Sequence, residues 1–176
     1  MKRYHPALVA LHWILLLMIF AMMVIGSQVM APTASTDPDK IDLLKMHMII
    51  GNIILALMVV RLLVRMKSQK PPEADIGNAL LNKAGRLAHL GLYALVFAMI
   101  ASGWATAIAA GLPGIVFFDS GAELPADMKI FAPRVAHGVI SYLLAFLIVA
   151  HFAAAMYHQF IRKDRLLSRM WFGKGK

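Results

Sequence analysis

Cysteine is absent from this 176-residue chain. That removes a disulfide framework, a thiolate-held iron–sulfur cluster and covalent haem attachment through CxxCH. Charge is scarce as well: Asp, Glu, Lys and Arg together make up 15% of the residues, and the 9 acids are outnumbered by 18 bases. No internal repeat is visible. What fills the chain instead is apolar side chain, 60% by count, against roughly 45–50% for a soluble domain. An ordinary soluble fold is thereby excluded. The formal net charge of +9 could signal a nucleic-acid binder. In a chain this hydrophobic it records orientation in a bilayer, so no nucleic-acid partner is expected. Most of the 13 methionines read as polarizable packing residues.

Four apolar segments are long enough to span a hydrocarbon core, at residues 7–30, 43–64, 87–110 and 135–160. Pro32, Pro38, Pro71, Pro72, Pro113, Pro125 and Pro133 all fall between them, where proline belongs. The expected architecture is all-α: one membrane-embedded four-helix up-down bundle, a single domain over residues 1–176. Lys2, Arg3, Arg61, Arg65, Lys67, Lys70, Lys83, Arg86, Arg162, Lys163, Arg165, Arg169, Lys174 and Lys176 gather on one side. The other side keeps Lys40, Lys45, Lys129 and Arg134 and most of the acids, including Asp37, Asp39, Asp42, Asp119, Glu123 and Asp127. The positive-inside rule then puts both termini in the cytoplasm. A cleaved signal peptide is the rival reading of the start, but the apolar run is too long for one and carries His12.

Seven histidines stand out against this background. His137 and His151 lie 14 residues apart on the fourth apolar segment. At about 100° and 1.5 Å per residue they share one face to within about 40° and differ by about 21 Å in depth. Ionisable side chains at such depth are functional candidates by default. His47 lies near the outer end of the second segment and His12 near the inner end of the first. Depth alone pairs His47 with His137 outside and His12 with His151 inside. Each pair could give two axial imidazoles to one b-type haem, non-covalently held, with two haems stacked across the bilayer. Zinc is the poorer fit, since acids and cysteine are missing from the spans.

Other residues fit around this pattern. Gly51 and Gly138 are small enough to admit a flat macrocycle. Arg61, 14 residues after His47, is placed to pair with a propionate of the inner haem, and Arg65 one turn on could do likewise. The alternative for Arg61 is a snorkelling residue at a helix end. His158, seven residues past His151, and His89, at similar depth, could contact a quinone or a propionate. Their plainer alternatives are an interfacial histidine facing water and a bond to a neighbouring helix. His5 precedes the first span and reads as interfacial.

The His12-Trp13 start, the run from Val59 to Arg65 around Arg61, the segment Ala88-His89-Leu90-Gly91, the stretch from His137 through His151 to Tyr157-His158, and the tail from Lys163-Asp164 to Arg169-Met170 together resemble the bacterial cytochrome b561 family. The resemblance covers essentially the whole chain. It implies a four-helix bundle in the bacterial inner membrane holding two b haems, with ligands at His12, His47, His137 and His151. The short stand-alone branch resembles superoxide oxidase, which implies electron passage from periplasmic superoxide to membrane ubiquinone. Lys45 and Arg134, just before the outer ligands, are then candidates for steering the anion. Of the two, Arg134 is preferred. Partners are limited to lipid, quinone and superoxide, with no obligatory protein partner. Two rivals stay open: a haem b electron-transfer subunit of a hydrogenase or dehydrogenase, and a small non-redox transporter that uses histidines as relays.

Overall fold

The computed structural model describes residues 3–69, 71–72, 77–164 and 166–172, so Lys2, Lys70, Arg165, Lys174 and Lys176, counted above in the charge asymmetry, lie outside the described residues. Among the described residues the chain is helical, with no strand. Four long helices dominate. α1 (Pro6–Val24) runs on through a π-helical turn to Met30, followed by α2 (Asp39–Lys67) and α3 (Ala79–Ala109). A short α4 (Leu112–Phe117) precedes α5 (Ala132–Met156), which continues as a π-helical turn to Arg162. The four long units, Pro6–Met30, Asp39–Lys67, Ala79–Ala109 and Ala132–Arg162, are each long and apolar enough to cross a membrane. The protein is thus a multi-pass membrane protein.

Three of the helices outrun the apolar segments that mark them in the sequence. α3 begins at Ala79 because the Asn78 side chain caps it, accepting from the backbone N–H groups of Leu80 and Leu81. Its 31 residues reach about 46 Å at 1.5 Å each, well past a core about 30 Å thick. Intrahelical hydrogen bonding does not stop where the hydrocarbon stops, so polar first turns remain helical. Beyond the end of α3 stands Gly111, whose φ of 63° is the left-handed conformation that glycine adopts without strain. The chain thereby turns directly into α4, an element within the third connection that the hydropathy pattern did not reveal.

Cross-helix contacts fix the directions. His12, early in α1, meets His151, late in α5, whereas His47 and His137 are both early in their helices. Ser102, late in α3, bonds His137. Neighbours in sequence therefore alternate up and down. Leu17, Phe20, Tyr142 and Phe146 are strongly exposed along the outside, an apolar surface that water would not tolerate and lipid does. Inside, Leu15, Met22, Ile54, Met58, Val96 and Leu144 form the central packed cluster. Leu144 is 2% exposed and stands seven residues from His137 and seven from His151. A second cluster, Leu44, Ala107, Ala110, Leu112 and Val116, packs α4 against α2 and the end of α3.

The tail folds back on the start of the chain. A 3₁₀ segment at Leu166–Met170 is held by Trp13 Nε1 donating to the Met170 carbonyl (2.8 Å) and Tyr4 N–H donating to that of Arg169 (3.2 Å). The Arg169 guanidinium in turn donates to the Pro72 carbonyl (2.7 Å), and Trp13 meets Trp171 edge to face.

Candidate functional site

The histidines converge as their depths predict. The rings of His47 and His137 lie 6.2 Å apart between centroids, and those of His12 and His151 6.5 Å apart. A metal sits about 2 Å from a ligating imidazole nitrogen and the ring centre about 1 Å further back, so two imidazoles on opposite sides of one iron have centres about 6 Å apart. Both pairs have that spacing. Among the described residues no three His, Cys, Asp or Glu side chains converge as ligands for a bare ion. Pairs of imidazoles suit iron already held by four macrocycle nitrogens, which lacks only its two axial donors. The donor sets therefore fit haem better than zinc.

At the outer pair the surroundings are asymmetric. His137 Nδ1 lies 3.0 Å from the Met99 carbonyl oxygen and 3.1 Å from Ser102 Oγ, both on α3. His47 Nδ1 is buried with no hydrogen-bond partner among the described residues. Two glycines let helices close on these rings: a Cβ on Gly103 would stand 3.4 Å from His137 Cε1, and one on Gly26 3.6 Å from His47 Cε1. At Gly51, one turn beyond His47 on α2, a Cβ would meet nothing within 4 Å. Gly138 differs, because its Cβ would face the Arg134 guanidinium at 3.5 Å.

Arg134 is close enough for its charge to act on His47, His137 and Lys40. Lys45 is exposed and, two residues before His47, points about 200° round the helix from it. Lys40, seven residues before His47, shares its face and was missed in the sequence because it lies in the polar first turn. The helical period was the signal that could have found it. Its ammonium is anchored to the Met30 (2.5 Å) and Thr33 (2.7 Å) carbonyls.

The inner group is larger than a pair. His89 reaches in from α3, its ring 5.2 Å from that of His151. Arg61 donates to the Leu8 carbonyl (2.6 Å), and its charge acts on His12 and His89. The guanidinium of Arg65 lies 5.8 Å from the Tyr93 ring centre, a cation–π distance, and its charge also reaches His89. Further inward, His158 Nδ1 is 2.6 Å from the Asp164 carboxylate, with Arg162 Nε 3.5 Å from the same oxygen. Burial opposes the Asp164 charge, but the His158 hydrogen bond, the Leu166 N–H and Arg162 outweigh it and hold the carboxyl below its usual range. His5 caps α1, its Nδ1 accepting from Ala7 N–H (3.3 Å).

A family model described as prokaryotic cytochrome b561 matches residues 3–173. The chain is 30% identical over 172 residues to "Cytochrome b561 homolog 2" of Escherichia coli (strain K12), covering 96% of this chain and 91% of that one. It is 27% identical over 175 residues to "Probable superoxide oxidase CybB" of Yersinia pestis, covering 96% of each.

Proposed function

This chain belongs to the prokaryotic cytochrome b561 family, a haem b family of membrane electron transfer, and on that premise we propose that it carries electrons from superoxide to ubiquinone across the bacterial inner membrane. In this reading both termini are cytoplasmic, and no obligatory protein partner is needed. Two haems b, held by His47 with His137 and by His12 with His151, supply the one-electron carriers. The observation that carries the reading is the pair of imidazole couples, 6.2 and 6.5 Å between centroids, stacked on either side of the Leu144 layer.

The chain's own residues divide the remaining work. At the outer face Arg134, with Lys40 beside it and Lys45 further round, draws the anion toward the His47–His137 pair. Two superoxide ions give up one electron each and leave as two oxygen molecules. The layer of Leu144, Ile54 and Val96 is apolar, with Tyr93 packed against it, and in this reading protons do not follow the electrons through it. They are taken up at the inner face, where one ubiquinone gains two electrons and two protons. His158, held through Nδ1 by Asp164, presents its other ring nitrogen there, and His89 lines the same end. Arg61 and Arg65 supply the positive charge that haem propionates require. The name of the Yersinia pestis relative and the cation at the outer mouth support superoxide as donor.

Stopped-flow mixing of the purified, haem-loaded protein with superoxide tests this. Haem reduction should appear within the mixing experiment, and prompt reoxidation only when a ubiquinone analogue is present. Unreacted haem in the presence of superoxide would turn the reading toward an electron-transfer subunit served by a dehydrogenase.

A further inference from the structure

We propose that α3, which carries none of the four expected ligands, sets the electron affinity of the outer centre through His137, with Ser102 as its positioning residue. This rests on the reading of His137 as an axial ligand. The protons at this contact follow from the partners. The Met99 carbonyl, 3.0 Å from His137 Nδ1, can only accept, so Nδ1 carries the hydrogen. The Ser102 hydroxyl therefore cannot donate to that nitrogen. It donates to the same Met99 carbonyl at 2.8 Å, and its lone pair accepts from Nδ1–H at 3.1 Å. Nε2 is left with its lone pair for iron.

A hydroxyl that is itself donating is a stronger acceptor, and an imidazole that donates through Nδ1 is a more basic ligand through Nε2. His137 is thus a strong donor that favours the oxidised centre. His47 has no such support among the described residues, where its Nδ1 is buried and finds no hydrogen-bond partner. Gly103 allows the arrangement: with a Cβ already 3.4 Å from the ring, any larger side chain would push α3 back and lengthen the hydrogen bonds.

The test is a potentiometric titration of the haem-loaded protein, following the two haem spectra of wild type and three Ser102 variants. Ser102→Asp places an anionic acceptor at Nδ1–H and should shift the outer haem toward the oxidised form about tenfold, 59 mV for one electron. Ser102→Ala removes an acceptor and should shift it about threefold the other way, the scale of one neutral hydrogen bond. Ser102→Thr keeps the hydroxyl and should match wild type, and the inner haem should not move in any variant. If Ser102→Asp fails to load haem, the Ala and Thr variants decide. An unshifted outer haem in Ser102→Ala, or equal shifts in both haems, would overturn the inference. Failure of the underlying reading looks different: His137→Ala would then retain both haem spectra.

Discussion

Gly51→Ala separates the effect of a mutation on the chain from its effect on the cofactor. Gly51 lies in the interior of α2, one turn beyond His47, and among the described residues a Cβ there meets nothing within 4 Å beyond its own turn of helix. In a helix interior alanine is favoured over glycine by about 1 kcal/mol. The haem-free chain should therefore gain roughly that amount, because nothing in the chain resists the extra carbon. A macrocycle seated between His47 and His137 would occupy the same open space. Forcing a methyl group against a packed plane costs about 1–3 kcal/mol, so haem affinity should fall between about fivefold and about 150-fold. The two effects have opposite signs. The assay pairs a denaturing-detergent midpoint for haem-free protein with a haem titration followed by the b-type spectrum. Gly85→Ala, equally open but in the first turns of α3, should gain stability and leave both haems alone. Wild-type haem affinity in Gly51→Ala would place the macrocycle elsewhere and break the link between open space at Gly51 and haem.

Pyridine haemochrome analysis should give about two haems b per chain, the count set by four imidazoles at two per iron; His47→Ala and His137→Ala should lose one spectral component, and His12→Ala and His151→Ala the other. Charge reversal at the outer mouth should slow haem reduction by superoxide at low salt, strongly for Arg134→Glu and Lys40→Glu and weakly for Lys45→Glu, with the differences shrinking as salt screens them. Asp164 should show a stability effect with a defined sign. Its carboxyl is held below the usual range in the folded chain, so the stabilisation is complete above the unfolded value of about 3.9 and is lost as pH falls through the folded value. Detergent-unfolding midpoints of wild type and Asp164→Asn should therefore differ at neutral pH and converge as pH falls below about 4.

Hydropathy and helical period are properties of contiguous residues, and they settled a good deal. Four spans, their alternating directions and the depth of each histidine follow from run length, 1.5 Å per residue and the placement of lysine and arginine. Depth also named His47 with His137 and His12 with His151 as neighbours, since in an up-down bundle residues at equal depth face a common interior. Even the continuation of α3 back to Ala79 was written locally, in the Asn78 cap, although hydropathy could not show it because the first turns are polar.

Depth says nothing about which way a side chain points across the bundle, and there the tertiary structure decided. His89 shares its level with several residues, yet only the packing of α3 on α5 sets its ring against His151. Arg61 could equally have snorkelled to water; the approach of α1 gave it the Leu8 carbonyl. Lys45 is nearer His47 in sequence than Lys40, but rotation about α2 puts Lys40 and not Lys45 on the His47 face. Ser102 and Met99 are ordinary residues of an apolar helix, and their meeting with His137 depends on Gly103 letting two helices close. His158 found Asp164 only because a π-helical turn and the left-handed residue Lys163 bring the tail back. Composition and spacing fix what lies along each helix; the rotation and closeness of the helices, set by many weak contacts at once, fix what each side chain touches.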